Sequence, residues 1–221
     1  MDSRIEGLCR AHMFEVCARH PDPSHDILHV DRVVALAKWL CVQEGGDPAV
    51  AVPAAYLHDC VVVPKDDPRR AQASRLSGER AVELLRGWGY AEDRLEAVRH
   101  AVESHSFSAA LEARSLEARI VQDADRLDAM GAIGIMRCAA YSGLARRPFY
   151  AAEDPFAETR GLDDQRFTLD HFYVKLLKLA ERLQTPSAKS EGLRRHQALE
   201  AWLSELRRDV LGPREGHKDP P

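Results

Sequence analysis

The chain has 221 residues and a formal net charge of −4, enough for one helical domain with a real core and too acidic overall for a broad nucleic-acid surface. Charged residues make up 30% of the chain and no apolar run reaches bilayer-spanning length, which excludes an integral membrane protein; the opening Met1-Asp2-Ser3-Arg4-Ile5-Glu6 lacks the apolar stretch of a secretory signal. The five cysteines, Cys9, Cys17, Cys41, Cys60 and Cys138, are scattered with no C-x-x-C pair, which argues against a disulfide framework or thiolate zinc site and places the chain in a reducing cytoplasm.

Helix formers dominate, and strand-like alternation is scarce. The spacing predicts helices near 3–18, 25–44, 48–60, 69–86, 91–105, 115–144, 168–183 and 187–211. Val30, Val33, Val34, Ala37, Leu40 and Cys41 recur at the period of one buried helical face. Asp22-Pro23, Asp47-Pro48 and Thr185-Pro186 each read as a capping residue followed by proline in the first turn. Gly45-Gly46 and Gly87-Trp88-Gly89 close helices. The polar, turn-rich stretch 146–166 reads as a long loop or lid, and 212–221 as a disordered tail. The expected architecture is a single all-α domain over 1–221, a helix bundle with its core at about 20–183.

Four segments carry chemistry. His58-Asp59 follows the apolar run Ala54-Ala55-Tyr56-Leu57, so a charge falls at the rim of the core, where a metal or an ion pair must compensate it. Upstream, His25 and His29 lie four apart, and His29 leads the apolar face of Val33, Leu36 and Leu40, which points it inward. Asp123, Asp125 and Asp128 sit inside the apolar stretch Ile120 to Ile135, with Asp125 and Asp128 sharing a face; aspartate is a poor interior helix residue. Gly131 and Gly134 follow, where a neighbouring helix is expected to approach closely. Last, His100 to Ser108 forms a polar helix end in which Glu103 and His105 are candidates for acid/base work or a second metal. Each piece alone also has a bland reading: a helix C-terminus, a satisfied core histidine, a solvated acidic stripe or a polar helix end.

Together they are more specific. A histidine, a His-Asp pair about thirty residues on, and an aspartate on a later buried helix resemble the ligand order of the HD superfamily of metal-dependent phosphohydrolases. His25 to His29 with Arg32-Val33, Leu57-His58-Asp59, Val63 to Pro68, Glu103 to Ser108, Val121 to Leu127, Gly131 to Gly134, Asp154-Pro155-Phe156, and Asp170-His171-Phe172 with Lys175 to Leu179 look like the YedJ/YpgQ-like group. The resemblance covers roughly 20 to 185.

It implies metal ligation by His29, His58, Asp59 and Asp125, the last chosen over Asp123 and Asp128 by its Ala-Asp-x-Leu context. Two imidazoles and two carboxylates suit one divalent ion, manganese before magnesium, iron, cobalt, nickel or zinc. Some relatives hold a second metal with two mid-domain histidines; His100 and His105 do not match that spacing, which favours a single ion. Asp59 would also orient water, with Glu103 or His105 moving protons. Phosphate charge would meet Lys65, Arg126, Lys175 and Lys178, with His25 and His171 also facing substrate. The implied activity is nucleoside triphosphate hydrolysis to monophosphate and pyrophosphate. The alternatives are a nucleoside-monophosphate phosphatase or phosphodiesterase, and a non-enzymatic ligand-sensing domain. The expected partner is a small nucleotide, with no stable nucleic acid, no membrane, and a homodimer left open.

Overall fold

The computed structural model describes residues 2–64, 67–106 and 111–212. Among these residues the fold is all-α, with nine α-helices and no strand. They are α1 (Ser3–Arg19), α2 (Ile27–Glu44), α3 (Pro48–Leu57), α4 (Ala73–Gly87), α5 (Glu92–His105), α6 (Leu116–Asp128), α7 (Gly131–Leu144), α8 (Thr168–Val174) and α9 (Pro186–Leu211). Among the described residues no helix is long and apolar enough to cross a membrane. The expected tail 212–221 lies, beyond Gly212, outside the described residues.

The centre of the fold is α3. Every residue from Val50 to Leu57 is buried, because the helix is apolar on all sides and packs against α1, α2, α5 and α6. Its start matches its sequence: Asp47 accepts the Ala49 amide at 2.8 Å, with proline next in the first turn. Pro53, inside the helix, cannot donate to the carbonyl of Ala49. That carbonyl takes the Tyr90 hydroxyl instead, so the break in the ladder is repaired from the link between α4 and α5. The helix ends at Leu57 rather than at residue 60, which leaves His58 and Asp59 on its C-terminal turn.

Several elements depart from expectation. Residues 115–144 form two helices, not one. Gly131 adopts φ +67°, a left-handed conformation that suits glycine, and a Cβ there would lie 3.2 Å from the Arg195 side chain of α9. The close approach expected at Gly134 comes not from a neighbouring helix but from the kink itself, since a Cβ would meet the Ala129 carbonyl oxygen at 2.3 Å. The expected helix 168–183 stops at Val174 and continues as short 3₁₀ turns at Leu176–Lys178 and Ala180–Arg182. Asp22-Pro23 does not start α2. Asp26 does, accepting the His29 amide at 2.9 Å, while Asp22 folds a turn by accepting from the Ser24 amide at 2.8 Å and hydroxyl at 2.6 Å.

The buried core is also wider than 20–183. It runs from Ile5, Cys9 and Met13 of α1 to Leu199 and Leu203 of α9. The segment 146–166 is without helix or strand but is braced. Arg160 grips Asp170 of α8 at 2.6 and 2.8 Å, and the Thr168 and Leu169 amides donate to Pro148 and Phe149 carbonyls at 3.0 and 2.8 Å. The kink supplies a test of packing. Gly134→Ala is expected to destabilise the protein by roughly 1–3 kcal/mol, the scale of overpacking against atoms that cannot move aside, read as a lower urea midpoint at unchanged m-value.

Candidate metal centre

Two imidazoles are built into the core with one nitrogen each left over. His58 is fully buried, and its Nδ1 donates to the Ala55 carbonyl at 2.8 Å, one turn back along α3. His29, in the first turn of α2, donates from Nδ1 to Asp128 Oδ2 at 2.8 Å. Each of these bonds fixes the tautomer and turns the Nε2 lone pair the other way. Both Nε2 atoms are buried and have no hydrogen-bond partner. Such orphaned groups are costly unless something binds them.

Carboxylates face both. Asp125 of α6 places Oδ1 3.8 Å from His29 Nε2 and 4.0 Å from His58 Nε2. Asp59 places Oδ2 3.6 Å from His58 Nε2 and Oδ1 3.5 Å from His105 Nε2. The ligand atoms of His29, His58 and Asp125 all lie within 4.8 Å of one another, and those of His58, Asp59 and His105 form an overlapping second group. Distances of this size are too long for strong hydrogen bonds and suit donors arranged around a common centre. The orphaned nitrogens and mixed N/O donor set fit a divalent cation. Asp59 is half-exposed while the histidines are buried, so the cluster opens to solvent on its carboxylate side.

The charges keep this arrangement ready. Burial pushes the His29 imidazole down to about 4, against the opposing bond from Asp128, so its lone pair is free near neutral pH. Burial would raise Asp125, but His58, His29 and His105 hold it down to about 2. Asp59 is likewise held well below the carboxylate range, by His58 first and then by His105. His105 moves the other way: burial lowers it, and the neighbouring Asp59 more than offsets this. Its Nδ1 donates to the Val102 carbonyl at 2.6 Å, which aims Nε2 at Asp59.

Asp128 has a role that the sequence reading did not assign. Buried beneath the cluster, it accepts from His29 and from Arg32 Nε at 2.7 Å, and pairs with Arg137 at 3.1 Å. It orients His29. The available signal was its three-residue spacing from Asp125 on one face of α6. Asp123 points elsewhere, taking the Gln184 and Thr185 amides at 3.0 and 2.8 Å, together with the Thr185 hydroxyl.

A cleft of about 360 Å³ opens from Asp59, His105 and Asp125. Arg126, Lys175 and Lys178 line it, and so do Arg70 and Arg182, two cations that sequence reasoning missed because isolated surface arginines carry no pattern. Lys175 and Lys178 reach it without sharing a regular helix. His171 lies in an adjoining cleft with His25 and Lys175, its Nδ1 2.9 Å from Asp164. His25 sits in the turn before α2 rather than on its face, 2.9 Å from Asp22, with its ring edge-on to His29. Glu103 does not join the cluster: two residues before His105, it faces α4, pairing with Arg99 at 3.1 Å beside Gly78. His100 Nε2 accepts the Arg114 amide at 3.1 Å and is likewise engaged elsewhere. Lys65 lies outside the described residues.

An all-helical domain in which histidines and carboxylates from α2, α3 and α6 converge beside a cationic cleft is the arrangement of a metal-dependent phosphohydrolase. The HD domain family model matches residues 27–130, which hold all four of the implied ligands. YpgQ of Bacillus subtilis is 31% identical over 192 residues, 85% of each chain. The crystal structure of Bacillus subtilis YpgQ in complex with ADP superposes with a TM-score of 0.74 at 28% identity, covering 94% of this chain and 98% of that one. An HD-superfamily hydrolase from Bacillus thuringiensis superposes with a TM-score of 0.71 at 30% identity, covering 95% and 98%. The chain belongs to the HD superfamily, in its YpgQ-like group.

Proposed function

We propose that this protein is a nucleoside triphosphate pyrophosphohydrolase that holds one divalent ion, manganese first, on His29, His58, Asp59 and Asp125. The observation that carries the reading is the pair of orphaned imidazole nitrogens facing two carboxylates at the head of a cationic cleft. A nucleotide substrate is supported by the ADP complex of YpgQ. A divalent metal at such a site supplies Lewis-acid polarisation of the phosphate and lowers the pKa of the attacking water.

The remaining work falls to the chain. Asp59, anionic and half-exposed, accepts a hydrogen bond from the attacking water and orients it. His105, aimed at Asp59, carries the proton. The water oxygen forms a bond to the α-phosphorus, the bond from that phosphorus to the bridging oxygen breaks, and pyrophosphate leaves with the electron pair. A triphosphate carries more negative charge than one divalent ion neutralises. Arg126, Lys175 and Lys178, joined by Arg70 and Arg182, line the cleft and meet the rest with fixed donors.

Product identification tests the reaction. Pyrophosphate and a nucleoside monophosphate are expected from a nucleotide panel with several divalent metals; orthophosphate alone would replace the proposal with a monophosphatase. The wall is tested by Lys175→Ala. It is exposed and lines both clefts, so a tenfold fall in kcat/KM for triphosphates is expected, about 1.4 kcal/mol of transition-state stabilisation, with metal content unchanged. Wild-type kinetics would return Lys175 to an ordinary solvated lysine.

A further inference from the structure

Gln122 lies in the stretch of α6 that carries Asp123 and Asp125, and the reaction described above gives it no part. Its side chain is buried, so both ends of the amide need partners. The nitrogen donates to the Ser104 carbonyl at 2.7 Å, and the oxygen accepts from the side-chain amide of Gln184. A carbonyl only accepts, so the Ser104 contact fixes which way the Gln122 amide faces and leaves its oxygen toward Gln184. Both partners adjoin working parts. Ser104 precedes His105 at the end of α5, where a helix leaves its last carbonyls without an intrahelical donor. His105 bonds back to Val102 within the same turn, so its ring goes where the end of α5 goes. Gln184 lies just past the 3₁₀ turns that bring Lys178 and Arg182 to the cleft. Such turns have poorer internal hydrogen bonds than an α-helix, so side-chain tethers hold them in place; Arg126, donating to the Arg182 carbonyl, is another.

We infer that Gln122 is a positioning residue: through one amide it holds the His105 end of α5 and the cation-bearing turns before Gln184 in fixed places relative to Asp125, one turn further along its own helix. The inference rests on the phosphohydrolase reading above and deepens it. Gln122 touches neither metal nor substrate. It acts through the groups that do, and a reacting group displaced by about 1 Å can cost on the order of 100-fold in rate. The two ends of the amide serve different steps. The nitrogen, on Ser104, places the group that carries the proton and so bears on turnover. The oxygen, on Gln184, places the cations that meet the phosphate chain and so bears on substrate binding.

Steady-state kinetics on the metal-loaded full chain, with calorimetric titration of inorganic triphosphate, test this division. Gln184→Met cuts only the link to the cations, because the Gln184 backbone amide keeps its bond to Asp123. It is expected to raise KM by roughly fivefold and to weaken inorganic triphosphate to match, with kcat within about twofold of wild type. Gln122→Met, nearly isosteric, cuts both links: kcat is expected to fall at least about tenfold as well, with metal content unchanged. The double variant is expected to bind no more weakly than Gln122→Met, since the link to Gln184 is already gone. Wild-type kcat in folded Gln122→Met, wild-type KM and triphosphate affinity in Gln184→Met, or additive losses in the double variant each overturn the inference. Should Gln122→Met fail to fold by circular dichroism, Gln184→Met decides alone. The kinetics can be read whichever phosphate is released, so orthophosphate as the product overturns the proposed reaction and leaves this inference standing. A wild-type protein that turns over no nucleotide overturns both.

Discussion

Asp59→Ala is expected to give a folded protein that has lost both its metal and its turnover. The carboxylate faces His58 on one side and His105 on the other, at 3.6 and 3.5 Å, and it is kept anionic by them. Removing it deletes a ligand charge and the group that orients water. Because the side chain is 46% exposed, its loss opens no cavity, and the core beneath is untouched. The expected fall in kcat/KM is at least ~1000-fold, about 4 kcal/mol, with a thermal midpoint close to that of the metal-free wild type. Elemental analysis decides the matter: stoichiometric metal in purified Asp59→Ala would remove Asp59 from the ligand set.

The second large effect is expected at Asp128, which touches neither metal nor substrate. Its side chain is 1% exposed and is surrounded by His29, Arg32 and Arg137. Asp128→Ala leaves the two guanidiniums without their counter-charge, one of them largely buried. Breaking a buried pair by removing one partner costs about 3–5 kcal/mol. It also frees the His29 ring to turn or to change tautomer, and loss of such an orienting partner typically costs 10–100-fold in metal affinity. Both effects are expected together: a lower urea midpoint for the metal-free protein and a weaker metal titration. A variant as stable as wild type, with unchanged metal affinity, would show that His29 needs no such support.

These two residues also mark what the sequence makes legible. His29, His58-Asp59 and Asp125 stand out because each places a polar group where the apolar period demands a core residue, and the fold brings His29, His58 and Asp125 within reach of a common centre. The helical class is legible for a related reason, since helices such as α2 carry an apolar stripe at helical period and α3 is apolar throughout. The break at Met130-Gly131 is not, because apolar residues run on across it from Leu127 to Ile135, and only the left-handed φ at Gly131 separates the two helices. The end of α8 at Val174 escapes notice similarly: Leu176, Leu179 and Leu183 keep a helical spacing while packing from 3₁₀ turns. Glu103 is a different kind of miss. Two residues apart on a helix means about 200° of rotation, so once His105 faces Asp59, Glu103 points away from that centre, toward Arg99. Arg70 and Arg182 had no local signal, because only tertiary folding brings them to the cleft.

The tie between Asp123 and residues 184–185 has a consequence for the order in which the molecule can be completed. Asp123 is fully buried and burial pushes its pKa up; its partners arrive 61 and 62 residues later in the chain. A growing polypeptide emerges from the ribosome N-terminus first. All four implied metal ligands are therefore synthesised well before the amides that allow α6 to sink Asp123 into the core. Until Thr185 is available, the helix that carries Asp125 would have to bury an unpartnered carboxylate, so the nascent chain holds its ligands on an unfinished scaffold. Metal capture belongs, on this account, to the end of synthesis, and a ribosome stalled before residue 185 should display a chain that binds metal weakly although every ligand has already been made.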